Sequence, residues 1–463
     1  MKIIILTCVL IISYTTTSSQ LKFAECFTEQ MVLQRDMPVK VWGNAEKNET
    51  VQVEIQQNVY KTKADKAGFW SITTNNLKTG GPYKLSLKGK ISNYEIQEVY
   101  VGEVWIAGGQ SNMEMELSRS TDGKKHIESA TNDQIRFIHI PRPDKVKTPE
   151  DNLLKWKPAT TENVGVMSAV AYHFAKTMQP EINVPIGIIC CYRGGSSAES
   201  WISIDDLNAH PQLKSIIEFK PADRAEGSNQ RRRNTLYEDM LARVIPFTAR
   251  GVIWYQGEAN ASRAEQYKTL FPYLIQSWRQ YFEQPDMPFY FVQLPKFGVK
   301  GANNTSWAEL REAQLETLIN IKNTGMAVTL DCGEETQLHP KNKKPVGERL
   351  AYIALNKNYA KDITFSGPLF KEMKINGNQV VVAFEHVGKG LTTKNNDEIK
   401  GFEISGDGKS FVKGNARIEK DKVIVQSDEI KKPVAIRYGW SNCPDANLYN
   451  IDGLMASPFR TQL

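Results

Sequence analysis

Residues 20–100 alternate apolar and polar side chains in short segments. This period-two pattern is clearest at residues 39–42, 51–55 and 83–87, and Gly, Asn and Lys interrupt it about every ten residues. Alternation of this kind is typical of strands with one buried face, and frequent turn residues indicate antiparallel pairing. The pattern predicts a β-sandwich-like domain over residues 20–100.

The pattern changes at residue 101, where fully apolar runs begin to alternate with amphipathic segments. The clearest helical stripe has apolar residues three and four positions apart over 267–278, and a further helix is predicted after Pro345. Strands buried on both faces and separated by helices predict a doubly wound parallel α/β domain over residues 101–360. The runs are residues 104–107, 135–140, 186–191, 252–255, 289–294 and 326–330.

Strand-like segments return in the last hundred residues, at 379–384, 423–425 and 434–438. They predict a β-rich C-terminal region over residues 361–463. Whether this region and residues 20–100 form one sandwich or two stays open. The predicted plan is therefore β, then α/β, then β.

Residues 1–19 have the layout of a secretory signal peptide. Lys2 precedes an apolar run over residues 3–14, and small polar residues follow up to a cleavage point before Gln20. The run is shorter than the roughly 20 residues that a membrane-spanning helix needs. We expect an exported protein without a membrane span.

Composition excludes a disordered tail protein, a collagen-like fibre and a polytopic membrane protein. Of the 463 residues, 41% are hydrophobic and 24% charged, as in ordinary globular proteins, and the net charge is only +6. This small excess does not indicate nucleic-acid binding, and the basic run at 231–233 is typical of a solvated loop, with an acidic sugar or an anionic surface as the alternative.

Cysteine and histidine spacing gives little support for a metal site. Five cysteines remain after the signal peptide, an odd number that leaves at most an optional disulfide, and Cys190 and Cys191 end an apolar run. The six histidines are scattered, and neither a CxxC nor an HExxH motif occurs. We expect neither a metal nor a cofactor.

Candidate chemistry lies after the apolar runs, because ligands of open α/β sheets bind beyond the carboxyl ends of the strands. Ser111 follows the first run and a pair of glycines; it could be a nucleophile or a helix cap. Residues 193–195 and 256–260 follow the third and fourth runs, and His339 lies late in the α/β region. An isolated histidine is more often structural, and a glycine pair alone is more often a turn.

Taken together, these segments resemble the sialate O-acetylesterase family, carbohydrate acetylesterases of the SGNH hydrolase superfamily. The two most specific blocks are Gly-Gln-Ser-Asn-Met-Glu at 109–114 and Trp-Tyr-Gln-Gly-Glu-Ala-Asn at 254–260. The resemblance runs from about residue 25 to the end. Further matching segments are residues 31–36, 101–105, 193–195, 310–314, 339–340 and 456–461.

The resemblance implies an SGNH-like fold and acyl transfer by a Ser–His pair. Ser111 would attack the acetyl carbonyl and His339 would accept its proton. The oxyanion would be held by the N–H of Ser111, by an N–H of Gly194 or Gly195, and by the side-chain amide of Gln256.

The resemblance leaves the acid of the triad open. The superfamily often places it two or three residues before the histidine, where this chain has Gln337 and Thr336. Glu258 matches the acid of related acetylesterases and is the expected acid here. The alternatives are Glu334, Glu335, Asp331 or a backbone carbonyl.

The expected activity is that of an exported esterase that removes O-acetyl groups from glycans, either sialic acids or plant polysaccharides. Arg193 and Tyr255 lie beside the motifs and are candidates for sugar binding. One alternative is a carbohydrate-binding or surface-interaction protein without catalysis, which would not need Ser111 paired with His339. Another is a glycoside hydrolase, which would need two carboxylates across the scissile bond. The oligomeric state stays open.

Overall fold

The computed structural model describes residues 20–213, 216, 234–298 and 305–461. The predicted signal peptide and the basic run at 231–233 lie outside the described residues. Export and the state of that basic run therefore stay predictions.

The N-terminal region consists of strands, as its alternating pattern predicts. One sheet has the order β1-β3-β6, while β2, β4, β5 and β7 join the sheet that contains β8. These strands are β1 (Lys22–Phe23), β2 (Val32–Gln34), β3 (Lys40–Asn44), β4 (Thr50–Ile55), β5 (Asn58–Lys63), β6 (Phe69–Thr73), β7 (Gly80–Lys88) and β8 (Asn93–Gly109).

Strand β8 joins the N-terminal region to the centre of the molecule. It is 17 residues long; exposed and buried residues mix in its first half, whereas residues 101–109 are all buried. The predicted boundary after residue 100 thus falls inside one continuous strand. The change of sequence pattern at residue 101 marks the point where β8 becomes buried on both faces.

The central sheet has the strand order β10-β9-β11-β8-β12-β13-β14. All neighbouring pairs are parallel except β10, which lies antiparallel to β9 at one edge. The strands added here are β9 (Ile135–His139), β10 (Trp156–Pro158), β11 (Ile186–Tyr192), β12 (Gly251–Tyr255), β13 (Phe289–Val292) and β14 (Thr324–Ala327).

Helices cover both faces of this sheet. They are α1 (Ser111–Glu114), α2 (Gly123–Glu128), α3 (Ala169–Ile182), α4 (Ile204–Ala209), α5 (Thr235–Asp239), α6 (Ala264–Tyr281), α7 (Ser306–Asn320) and α8 (Lys344–Tyr359). On β8, Trp105 packs on Phe174 of α3 at 5.2 Å between ring centroids. A side chain at Gly108 would instead meet Trp278 of α6 at 3.0 Å. Since positions three apart on a strand point to opposite faces, α3 and α6 lie on opposite faces of the sheet.

Short 3₁₀ helices occupy many of the connections. They span Leu117–Arg119, Pro143–Lys145, Glu150–Asn152, Val164–Val166, Ala198–Trp201, Pro211–Leu213, Leu241–Arg243, Glu258–Arg263, Leu330–Cys332 and Lys394–Asn396.

The C-terminal region has its own sheets and its own apolar core. The sheet orders are β15-β16-β21-β20, β19-β18-β22-β24 and β17-β23. Val380, Val382, Ile404, Val425 and Ile436 belong to a core that is separate from the core shared by the N-terminal and central regions. The strands are β15 (Leu369–Asn376), β16 (Gln379–Glu385), β17 (Leu391–Thr393), β18 (Phe402–Ser405), β19 (Val412–Lys413), β20 (Asn415–Glu419), β21 (Lys422–Gln426), β22 (Ala435–Tyr438), β23 (Leu448–Asn450) and β24 (Phe459–Arg460).

Buried polar contacts join the N-terminal region to the central sheet. Glu103 of β8 is fully buried and bonds Arg35 at 2.6 Å and Arg250 at 2.8 Å. Nearby, the rings of Phe27 and Phe247 stack with centroids 5.6 Å apart. These contacts hold the N-terminal strands against the central sheet.

The prediction of a mixed α/β molecule with β-rich regions at both ends is confirmed. Among the described residues no helix has the length and apolarity needed to cross a membrane. The described cysteines are free thiols, so the optional disulfide does not form in this structure.

Candidate active site

Ser111 lies at the carboxyl end of β8, where the chain leaves the sheet and enters helix α1. The preceding turn depends on Gly109, which has φ +131° and lies so close to β12 that a Cβ there would be 2.2 Å from the carbonyl oxygen of Tyr255. Only glycine tolerates both conditions. Because Ser111 begins the helix, its backbone N–H has no acceptor within the helix.

His339 meets Ser111 at this edge of the sheet. The His339 Nε2 and Ser111 Oγ atoms are 2.7 Å apart, a hydrogen-bond distance, although 228 positions separate the two residues. The two residues that the family resemblance pairs are therefore in contact in the structure. His339 is exposed and Ser111 partly buried, so the pair is open to a large substrate.

The charge state of His339 suits a proton acceptor. Partial desolvation lowers the pKa of its ring below the ordinary value; the positive charges of Lys343 and Arg119 lower that pKa further, and Glu114 acts in the opposite direction. The ring is consequently neutral at physiological pH, as a general base must be.

Gly194 lies beside Ser111, as predicted, but its N–H already has a partner. A Cβ at Gly194 would be 3.5 Å from the Ser111 Cβ, and the Gly194 N–H donates to Glu114 Oε2 at 2.5 Å. The other Glu114 oxygen accepts from Arg142. Gly195 has φ +73° and completes the turn. The Gly194–Gly195 turn is thus next to Ser111, and Glu114 binds the Gly194 N–H that the predicted oxyanion hole would use.

Gln256 does not direct its amide toward Ser111. Its side chain is fully buried, and its amide N–H groups donate to Asn260 Oδ1 at 2.7 Å and to the Ser196 carbonyl at 3.3 Å. Its Oε1 accepts from Tyr267 at 3.0 Å. Because both donors bind buried acceptors, this geometry does not support the oxyanion role predicted for Gln256.

The two predicted sugar contacts differ in exposure. Tyr255 is only 1% exposed and lies under the Lys343 ammonium, 5.1 Å from its ring centroid, so it cannot touch a sugar at the surface. The Arg193 guanidinium is 3.3 Å from Asp144, and its side chain remains 15% exposed. Arg193 stays a candidate for sugar binding, while Tyr255 is a core residue.

Glu258 bonds Asn112 rather than the imidazole. Its Oε1 accepts from Asn112 Nδ2 at 2.5 Å, and its Oε2 is buried without a hydrogen-bond partner among the described residues. Burial raises the pKa of this carboxyl group. Direct orientation of His339 by Glu258 is therefore not seen in this structure.

The alternative acid Asp331 is also engaged elsewhere. Its two carboxylate oxygens bind the Arg349 guanidinium at 2.6 and 2.7 Å. Thr336 and Gln337 are exposed and uncharged. Within the described ranges, no carboxylate makes a hydrogen bond to His339.

The sequence analysis missed Asn112, Glu114 and Lys343. Asn112 and Glu114 stand inside the block that contains Ser111, so their motif was the available signal. Lys343 lies in a lysine-rich segment that is typical of a solvated loop, and only the structure shows that it is 1% exposed. In the part of the chain that the structure covers, no group of three or more His, Cys, Asp or Glu side chains could hold a metal ion.

The chain is similar to known carbohydrate esterases. Residues 101–356 match the family model of carbohydrate esterases described as sialic acid-specific acetylesterases. The chain is 26% identical to the sialate O-acetylesterase of Mus musculus, covering 96% of this chain and 94% of that one. It is 28% identical to the sialate O-acetylesterase of Homo sapiens, with coverages of 83% and 80%.

A solved structure extends the similarity over nearly the whole fold. A carbohydrate acetylesterase from Xanthomonas citri superposes with a TM-score of 0.86 at 36% identity, covering 95% of this chain and 99% of that one. The family model spans more than half of the sequence, and this neighbour covers almost all of it. The chain therefore belongs to the sialic acid-specific acetylesterase family of carbohydrate esterases, and it is an esterase.

Proposed function

We propose that this esterase hydrolyses O-acetyl esters on glycans, with Ser111 as nucleophile and His339 as general base. The 2.7 Å contact between Ser111 Oγ and His339 Nε2 carries the proposal. A protein that only binds carbohydrate would have no need for this pair. The fold that we propose for the central domain is SGNH-like, with the nucleophile after strand β8.

The proposed reaction has two halves. The Ser111 oxygen attacks the acetyl carbonyl carbon while its proton moves to His339 Nε2; the tetrahedral intermediate then collapses, and the departing sugar oxygen takes that proton. Water next attacks the acetyl-enzyme and gives one proton to His339. The second tetrahedral intermediate then collapses, the Ser111 oxygen leaves with that proton, and acetic acid departs and ionises to acetate in solution. Atoms and charge balance at each step.

The developing oxyanion needs hydrogen-bond donors beside Ser111. The N–H of Ser111 at the start of α1 and the Gly194–Gly195 turn are the nearest backbone groups. For Gly194 to contribute, the oxyanion has to replace the Glu114 carboxylate as acceptor. We leave Gln256 out of the oxyanion hole because both of its N–H groups bind buried acceptors.

The proposed substrates are acetylated glycans that reach an open site. Exposure of His339 suits chain ends and polymers alike. Similarity to proteins named sialate O-acetylesterase favours acetylated sialic acids, and the neighbour named carbohydrate acetylesterase keeps plant polysaccharides as candidates. The layout of residues 1–19 supports export of the enzyme.

The testing experiment measures acetate release from acetylated sialic acids, acetylated xylan and xyloglucan, and an aryl acetate. Ser111→Ala and His339→Ala should each abolish release from every substrate that the wild type cleaves, whereas the exposed control Ser129→Ala should retain wild-type activity. A folded Ser111→Ala enzyme with more than a few per cent of the activity would refute the mechanism.

A further inference from the structure

The side-chain amide of Asn112 links three parts of the site. Asn112 follows Ser111 in helix α1 and is 1% exposed. Its Nδ2 donates to Glu258 Oε1 at 2.5 Å and to the Leu338 carbonyl at 3.0 Å, while its Oδ1 accepts from Lys343 Nζ at 2.5 Å. We call these three polar side chains, Asn112, Lys343 and Glu258, the brace.

The partners of Asn112 fix the orientation of its amide. An ammonium group has only donors, so Lys343 must face the amide oxygen. The Leu338 carbonyl accepts only, as does an ionised Glu258, so both must face the amide nitrogen. The brace therefore holds one N–H of Asn112 on the carbonyl of the residue that precedes His339.

Lys343 occupies a costly position for a cation. It is 1% exposed and directly precedes helix α8, where the helix dipole disfavours positive charge. The neighbouring Glu258 carboxylate and the face of the Tyr255 ring offset part of that cost. A buried lysine with these partners indicates a specific role next to the site.

We propose that Asn112 is a positioning residue, which holds the backbone before His339 so that the imidazole stays on Ser111, and that Lys343 and Glu258 keep its amide in the required orientation. This inference rests on the proposed Ser–His mechanism. It assigns to the brace the orienting role that a carboxylate bonded to the imidazole fills in the usual triad. Glu258 then acts through Asn112, without touching the histidine.

Lys343 also contributes to the charge around the imidazole. Lys343 from its own segment and Arg119 from the 3₁₀ helix after α1 both disfavour the imidazolium, whereas Glu114 of α1 favours it. Removing the Lys343 charge should therefore raise the pKa of His339. Since kcat/KM falls as pH drops through that pKa, its acid limb should move to higher pH.

The first test is Asn112→Ala, with Asn450→Ala as a matched control. Asn450 is also fully buried and also donates two hydrogen bonds, to the Ser366 and His386 carbonyls, and accepts one, from the Leu454 N–H. Asn450 belongs to the C-terminal region, so its loss should lower Tm without changing kcat. Asn112→Ala should lower kcat about 10²-fold with KM little changed, the size expected for a catalytic group misplaced by about 1 Å.

A second variant keeps this test decisive if Asn112→Ala fails to fold. Asn112→Asp has the same size and can still bind Lys343, but its carboxylate cannot donate to the Leu338 carbonyl. We expect a similar loss of kcat. The proposal is overturned if Asn112→Asp keeps more than a tenth of the wild-type kcat, or if Asn112→Ala loses no more kcat than Asn450→Ala.

The pH profile supplies a readout that a purely structural role would not change. Lys343→Met should shift the acid limb of kcat/KM to higher pH, whereas the control Lys344→Met, an exposed neighbour that pairs with Glu348, should leave it in place. An unshifted limb in Lys343→Met would overturn the charge argument.

Ser111→Ala separates the two proposals. If Ser111→Ala stays active, the proposed function fails. If Ser111→Ala is inactive while the Asn112 variants behave like Asn450→Ala, only the proposal for the brace fails.

Discussion

At the scale of single residues, Ser111 and His339 are in hydrogen-bond contact, whereas Glu258 and Gln256 bond to buried side chains. The pairing of Ser111 with His339 was predictable from the family resemblance, and the position of Ser111 after an apolar run supported it, because ligands of parallel sheets bind at the carboxyl ends of the strands. The partners of Glu258, Gln256 and Tyr255 were not predictable, because a motif shows which residues follow a strand but not the direction of each side chain. Their neighbours in sequence say nothing about which buried acceptor each side chain reaches.

Glu258 offers a prediction that separates a triad acid from a bracing residue. Replacing Glu258 by glutamine keeps an oxygen that can accept from Asn112 but removes the charge that balances Lys343. We expect Glu258→Gln to lower kcat about tenfold, because the brace is weakened rather than lost. The measurement is steady-state hydrolysis of an aryl acetate.

The exposed neighbour Gln337 provides the control for this measurement, because Gln337→Ala should leave kcat unchanged. A loss near 10⁴-fold in Glu258→Gln would instead be the size seen when the acid of a triad is removed. Such a loss would contradict the bracing role and return Glu258 to the position of the acid.

At the scale of elements, the apolar runs predicted the central strands well because parallel strands are buried on both faces. The strand ends were harder to predict. Nothing in the pattern shows that β8 continues through the predicted boundary at residue 100, because a strand that passes from a half-exposed sheet into a buried one changes pattern without ending. Pairing with β2 and β7 along the first half of β8, and with β11 and β12 along its second half, decides its length.

The junction between β8 and α1 leads to a second prediction, for Gly109→Ala. The new Cβ would clash with the Tyr255 carbonyl in a backbone of positive φ, so we expect a loss of both stability and activity. Gly377→Ala is the matched control, since Gly377 also has positive φ but no atom within 4 Å of the added Cβ.

Urea unfolding measures the difference between these two variants. The control should lose about 1–2 kcal/mol, the cost of a left-handed residue, with unchanged activity. Gly109→Ala should lose more than the control and should displace Ser111 from His339. If the two variants lose the same free energy of unfolding, β8 and β12 can separate at this junction without a further loss of stability.

At the scale of the whole molecule, the N-terminal and central regions share one core whereas the C-terminal region has another. The sequence could not decide this arrangement, because period-two strands look alike whether they form an independent sandwich or extend an existing sheet. Shared strand β8 and the buried contacts of Glu103 make the first two regions one structural unit.

Glu103 provides the last prediction, about how strongly these two regions are joined. Its carboxylate is fully buried between Arg35 and Arg250. Desolvation raises its pKa, but the hydrogen bond and charge of Arg250, with hydrogen bonds from Arg35 and Gln34, hold that pKa below the ordinary value. Removing one member of a buried ionic cluster leaves the others uncompensated, at a cost of about 3–5 kcal/mol. We expect Glu103→Gln to destabilise the protein by this amount at pH 7 in urea unfolding.

The control and the pH dependence make this prediction specific. Glu403 forms a similar pair with Arg437 at 2.8 Å, but its side chain is 33% exposed, so Glu403→Gln should cost no more than about 1 kcal/mol. Because the pKa of Glu103 is lowered by folding, its stabilising effect is present above the pKa of the unfolded chain and disappears as pH falls through the pKa in the folded protein. The difference in stability between wild type and Glu103→Gln should therefore shrink in acid. The stability difference between wild type and Glu103→Gln should vary with pH only if the buried charge matters. If that difference is constant with pH, or no larger than the loss in Glu403→Gln, then packing such as the Phe27–Phe247 stack joins the N-terminal strands to the central sheet, and this buried charge does not.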